Sequence, residues 1–263
     1  MIKQNLHCHT TFDDGADTPE AMVNAAISAG LTSIGISAHS PVPGEVWCVS
    51  EEREPEFRAE LRRFREKYRG QIAVYCGLEY DSRSARCFEG YDYVIASVHA
   101  LSGTTIDNTV EEARQVIEHY GSADAAAYAY YEQCAQLAGI AQADIVGHFD
   151  LLTKFDERHR LYDSGSSVYR DAAFAAMELL NAAGKIFEIN TGAISRGYRS
   201  TPYPAPELLR HLKAIGGRIT VSSDAHSAVA ICCAFDKAEA LAKSSGFTEL
   251  WQFNGGGFDA VAI

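Results

Sequence analysis

Apolar and polar positions along this chain alternate between a strand-like period and a helix-like one. The opening segment KQNLHCHT reads as a strand, and a helix follows with Thr18 as its N-cap and Pro19 in its first turn. Gly30 stands where that helix should end. LTSIGISAHS is a second strand, and a loop through Pro41, Pro43 and Gly44 leads to the charged helix EPEFRAELRRFREKY, closed at Gly70. Within that helix Phe57, Leu61, Phe64 and Tyr68 recur at the spacing of one buried face. QIAVYCGLEY and YDYVIASVHAL read as the third and fourth strands, and helical patterns occupy roughly 109–120 and 123–139. A fifth strand, ADIVGHFDLL, precedes a polar loop and a helix over roughly 167–183. The sixth strand is GKIFEINTGA, followed by a helix opening near Pro206; the seventh is GRITVSSDAH, followed by a helix over roughly 228–245. The tail ELWQFNGGGFDAV offers a last short strand.

Strands alternating with helices imply parallel βα units. About seven of them in a row build either an open doubly wound sheet or a closed barrel. No linker, low-complexity segment or internal repeat interrupts the series, so residues 1–263 are expected to form one domain.

Composition narrows the function classes. A hydrophobic content of 47% and a charged content of 22% describe an ordinary globular protein. The net charge of −12 argues against general affinity for nucleic acid or anionic membranes, and it fits a chain that gathers carboxylates around divalent cations. The absence of an apolar leader and of any apolar run of about 18 residues gives a cytoplasmic reading with no membrane partner. Seven cysteines without a CxxC pair read as structural thiols rather than a disulfide framework or a zinc ribbon. Nothing in the pattern sets the oligomeric state.

The candidate chemistry lies at the strand ends. These carry His7 and His9, then His39, Glu79, His99, His148, and finally Asp224 and His226, with Asp14 in the loop after the first strand. Alternation turns His7 and His9 to one face and Cys8 to the other. In a parallel barrel all of these ends meet on the C-terminal rim, so residues far apart in sequence share one site. The sixth strand differs, with Glu188 able to face inward and Asn190 able to support a ligand or touch substrate. Strand ends are often polar for ordinary reasons, but ligand types at six of the seven ends make that account weak. His119 and His211, in helices, and His159, in a loop, stand away from the pattern. A catalytic zinc uses about three protein ligands, so this many candidates suits two or three ions sharing bridging carboxylates.

In order, HCHTTFDDG, SAHS, GLEY, SVH, GHFDLL, FEINTG and SSDAH resemble the PHP (polymerase and histidinol phosphatase) superfamily, from residue 5 to about 227. The segment EINTG…PYPAPELL…SSDAHS is most similar to the PHP-type histidinol phosphatases. That resemblance implies a distorted (β/α)7 barrel, a TIM-like fold, with a trinuclear centre of zinc, iron or manganese. Carried over, the pattern gives His7, His9, Glu79 and Asp224 to one ion. Glu79 would bridge to a second held by His99 and His148, and Asp14, His39 and His226 would hold the third. Asp14 is preferred over Asp13 because it directly precedes Gly15, as in the family pattern.

The implied reaction is hydrolysis of a small phosphate monoester, with L-histidinol phosphate the leading substrate. A metal-activated hydroxide would attack phosphorus, and Glu79, Asp224 and His226 would be the catalytic residues among the ligands. No GxSxG or CxxxxxR nucleophile motif is present. Arg160, Arg196 and Arg199 are the candidate phosphate ligands, because each lies in a loop after an active-site strand, with Arg196 and Arg160 preferred; the alternative is pairing with Asp156, Glu157 or Asp163. Trp47, Glu45, Glu51 and Glu52, with the loop LSGTTID, could recognise the organic end. Competing readings are a related phosphoesterase acting on another small phosphate or a nucleotide, and a non-catalytic metal-binding domain. Amidohydrolases also open with HxH on a barrel strand, but no lysine stands at a strand end here.

Overall fold

The structure, a computed structural model, describes residues 2–85 and 87–263. Seven parallel strands form one sheet in chain order: β1 (Gln4–Asn5), β2 (Ser33–His39), β3 (Ala73–Asp81), β4 (Tyr93–Ser97), β5 (Ile145–Val146), β6 (Ile186–Asn190) and β7 (Arg218–Ser222). Around them lie α1 (Pro19–Ser28), α2 (Glu54–Lys67), α3 (Val110–Tyr120), α4 (Ala123–Gln136), α5 (Ser167–Ala182), α6 (Pro206–Ala214) and α7 (Phe235–Ser244). The first and last units join through a parallel bridge between Cys8 and Ala225. The His9 amide donates to the Ala225 carbonyl at 2.9 Å, and Asn5 Nδ2 donates to Ser223 Oγ at 2.6 Å. The fold is therefore the distorted (β/α)7 barrel that the motif order implies.

Local sequence explains most of the elements. Thr18 caps α1 by accepting from the Ala21 amide, and α2 buries Phe57, Leu61 and Phe64, with Tyr68 packed just beyond its end. Leu6, Tyr93, Ile95, Ile145 and Ile186 pack together inside the barrel. The Tyr93 side chain passes directly over Gly35 and Gly77, where a Cβ would fall 1.9 Å from its hydroxyl oxygen and 2.3 Å from its Cζ. Only glycine fits at those two positions.

Four elements depart from the sequence reading. β1 and β5 keep only two ladder residues each, because the chain turns away from its neighbours earlier than the apolar run suggests. In β5 the turn follows Gly147, whose missing Cβ lets the backbone lie against Ser97. The tail forms an antiparallel hairpin, β8 (Glu249–Phe253) with β9 (Phe258–Ala262), rather than a single strand. It plugs the N-terminal end of the barrel: Phe253 joins the interior cluster, and its amide and carbonyl both pair with the Gln4 side chain. The last helix begins at Phe235 rather than 228, since residues 228–230 form a 3-10 turn and Ala234 adopts a left-handed φ of 55°. The cysteines are free, and Cys8 is buried in the core as alternation requires. Among the described residues no helix is long and apolar enough to cross a membrane.

Candidate metal centre

Parallel register brings the expected ligands together. In the β2–β3 ladder His39 stands opposite Glu79. His7 and His9 leave β1 on the same face, their ring centroids 5.1 Å apart. Asp224 follows β7 with a left-handed φ of 49°, and its carboxylate fills the space beside Gly192, where a Cβ would sit 2.6 Å from Oδ2.

Glu79 is at the middle of the group. Its Oε2 lies 2.9 Å from His39 Nδ1, 3.1 Å from His7 Nε2 and 3.5 Å from His9 Nε2. Its Oε1 lies 2.9 Å from His148 Nε2 and 3.2 Å from His99 Nε2. Asp224 Oδ1 is 3.3 Å from His9 Nε2, and Asp14 Oδ2 is 3.3 Å from His226 Nε2. All nine candidates thus belong to overlapping sets whose ligand atoms lie within 4.8 Å of one another. The sets divide differently from the family pattern in two places: His148 groups with His7 and Glu79, and His39 groups with Glu79 and His99 as well as with His9, Asp14 and His226.

Buried and without hydrogen-bond partners are His7 Nε2, His9 Nε2, His39 Nδ1 and Glu79 Oε2. Leaving such atoms unsatisfied is costly. A shared divalent cation satisfies them, and mixed imidazole and carboxylate donors suit several first-row ions. The residues therefore fit divalent metal.

Behind these side chains lies a row of acids that sequence reasoning did not assign. Asp13 Oδ2 holds His9 Nδ1 at 2.6 Å, Glu188 Oε1 holds His7 Nδ1 at 2.8 Å, and Asp81 Oδ2 holds His99 Nδ1 at 3.0 Å. Such contacts orient an imidazole so that its other nitrogen faces a metal. A signal for Asp81 was present in GLEYD, since alternation puts it on the same face as Glu79.

Burial opposes charge on Glu79, Asp14, His9 and His226, yet the pairing wins for the first three. Glu79 is held well below the usual carboxylate range by His39, His7 and His99, and Asp14 is likewise lowered by His226, His39 and His9. His9 is pushed up to about 10, against its burial, by Asp13, Asp224 and Asp14. His226 moves down, through burial and the neighbouring His9.

Above the cluster opens a cavity of about 580 Å³. Arg196 lines it, with Nη2 on Asp224 Oδ2 at 3.0 Å, Nη1 2.8 Å from His226 Nδ1, and Nε buried without a partner. Arg160 and Arg199 are not among its lining residues. Arg160 is exposed and caps the short helix Asp156–His159, and Arg199 donates to the Thr153 carbonyl at 2.9 Å. The carboxylates weighed as alternatives take other donors, Asp156 from Leu161 and Glu157 from Ser200, while the Arg160 amide donates to the Asp156 carbonyl at 3.0 Å. A cation the sequence reading overlooked, Lys154, does line the cavity, with Nζ 3.5 Å from Asp107 Oδ2. Trp47 and Glu45 line it too, as do Thr104, Thr105 and Asp107 from the LSGTTID loop, whereas Glu51 and Glu52 do not. Of the remaining histidines, His211 stacks on Phe174 at 3.8 Å and His159 is exposed.

A parallel α/β barrel with clustered imidazoles and carboxylates on its C-terminal rim defines the class: a metal-binding barrel protein of the hydrolase type. This chain belongs to the PHP domain family, which it matches over residues 5–192. It is 29% identical over 239 residues to a Deinococcus radiodurans protein named "Probable histidinol-phosphatase", a match covering 84% of this chain and 85% of that one. The structure of histidinol phosphate phosphatase from Lactococcus lactis, complexed with zinc, L-histidinol and phosphate, superposes with a TM-score of 0.73 at 25% identity, covering 98% of both chains. The hisK structure from Listeria monocytogenes gives a TM-score of 0.80 at 20% identity, over 89% of this chain and 99% of that one, a likeness of fold.

Proposed function

We propose that this chain is a metal-dependent phosphatase that hydrolyses L-histidinol phosphate to L-histidinol and inorganic phosphate in histidine biosynthesis. The observation that carries the reading is the floor of unpartnered imidazole and carboxylate atoms beneath a cavity that also holds Arg196 and Lys154. Relatives named for this activity align with most of the chain, and one of them is described with zinc, histidinol and phosphate. The assignment follows the family pattern: His7, His9, Glu79 and Asp224 for one ion, His99 and His148 sharing Glu79 for a second, and Asp14, His39 and His226 for a third. Zinc, iron and manganese all suit these donors. Residues 1–263 would act as one domain, in the cytoplasm.

Divalent ions bound there supply Lewis acidity toward phosphoryl oxygens and make water a nucleophile at neutral pH. The chain's own groups supply the rest. Arg196, already fixed by Asp224, has a buried Nε–H left over, suited to a non-bridging phosphate oxygen. Lys154 adds a second positive charge on the same cavity. Burial would protonate Asp224, but Arg196, His7 and His9 keep it ionised, the form in which it can hold a cation. His226, lining the cavity beside Asp14, would act there as a metal ligand with Asp14 and His39, since its Nδ1 faces the Arg196 donor and its pKa is lowered. Arg160 and Arg199, on this reading, serve the fold of their loops rather than the phosphate.

The test is phosphate release from L-histidinol phosphate by zinc- or manganese-loaded protein, set against p-nitrophenyl phosphate and a nucleotide. A strong preference for the first supports the reading. Turnover of only the other esters would keep the metal chemistry and discard the substrate, and no turnover by loaded protein would discard both.

A further inference from the structure

Arg83 has no part in the chemistry above, yet it joins two sides of the site. Its backbone amide and Nε donate to Asp81 Oδ1 at 2.7 and 3.0 Å, and its Nη2 donates to Asp81 Oδ2 at 2.9 Å. That same Oδ2 holds His99 Nδ1 at 3.0 Å. The other edge of the guanidinium reaches the cavity wall: Nη1 donates to Glu45 Oε1 at 3.3 Å, and Glu45 Oε2 accepts from Trp47 Nε1 at 2.8 Å. The Arg83 guanidinium carbon also lies 5.4 Å from the centre of the Trp47 ring, which meets His39 edge-on at 4.8 Å.

We propose that Arg83 is a positioning residue that fixes the Glu45–Trp47 wall of the cavity relative to His99. The chain around Trp47 has no regular secondary structure of its own to set that distance. The Asp81 carboxylate is wholly buried and Glu45 is one-third exposed, so the contact runs from the interior of the site to its rim. A planar fork can serve two carboxylates at once, whereas a lysine offers a single point charge and must choose one.

The test uses the full-length, metal-loaded protein in a Trp251→Phe background. Trp251 lies in β8, at the plugged end of the barrel, and its replacement leaves Trp47 as the one indole of the two in the chain. Arg83→Ala is expected to raise acrylamide quenching of Trp47 and to weaken metal retention against a chelator by about tenfold. It is also expected to raise KM for the phosphate ester by about tenfold, with a smaller change in kcat. Arg83→Lys separates the two ends: metal retention recovers while Trp47 stays exposed to quencher. The proposal is overturned if Arg83→Ala leaves both quenching and metal retention as in the parent. The kinetic arm rests on the phosphatase reading. Should the parent turn over no phosphate ester, that reading fails while the other two arms still decide the role of Arg83.

Discussion

Glu188 influences the centre without lining the cavity. It is fully buried in β6, with Oε1 on His7 Nδ1, while Oε2 accepts from the His148 amide at 2.9 Å and from Asn190 Nδ2 at 2.8 Å. Glu188→Gln keeps the shape and removes the charge that holds His7, so metal affinity should fall by about 10- to 100-fold. Chelator competition on the folded variant measures this, and an unchanged affinity would detach Glu188 from the site. Protons enter the same balance. In the metal-free protein His7 and His99 are raised and His9 is pushed up to about 10, each against burial, by the surrounding carboxylates. Below that range these rings carry protons that a cation must displace, whereas the lowered Glu79 and Asp14 are already ionised. Apparent metal affinity should therefore rise with pH through neutrality, with proton release visible as buffer-dependent heat in calorimetry. A pH-independent affinity would contradict it. At this scale the shared face of His7 and His9 was legible from alternation and the convergence of the other candidates from their places at strand ends, but Lys154 was not, because the loop that carries it has no period to reveal its direction.

Elements were legible where a local pattern decides them, as in α2 with its buried face, and less so where a distant partner does. ELWQF and FDAVA are each plausible strands. That they pair with one another under the barrel depends on the open end that Gln4 and Tyr93 leave there. The late start of α7 was hidden for a similar reason: the apolar residues of AVAICCAF suit a helix, and only packed geometry reveals the left-handed Ala234. The hairpin gives a clean separation of stability from chemistry. Phe253→Ala should cost about 3–5 kcal/mol, as for other buried aromatic truncations, read as a lower denaturation midpoint. Metal affinity of the folded variant should not change, since Phe253 sits at the opposite end from the ligands. A weakened metal site would show that the two ends are coupled.

Over the whole molecule, the acidic balance and the buried ligand nest make metal a component of folding stability. A ligand that binds only the folded chain at 1,000 times its dissociation constant contributes about 4 kcal/mol, so chelation should lower Tm and re-addition of zinc or manganese should restore it. A Tm indifferent to metal would argue against a resident centre. The closure of the barrel also bears on how the site is assembled. Asn5 and Ser223 are hydrogen-bonded although 218 positions apart, and Asp224 and His226 reach His9 and Asp14 only across that junction. Two of the four ligand sets, His9–Asp14–His39–His226 and His7–His9–Asp224, draw on both sides of the junction. The other two, His7–Glu79–His148 and His39–Glu79–His99, do not, so a barrel that gapes at its seam would keep some of its ions and shed others, and full occupancy becomes a gauge of closure.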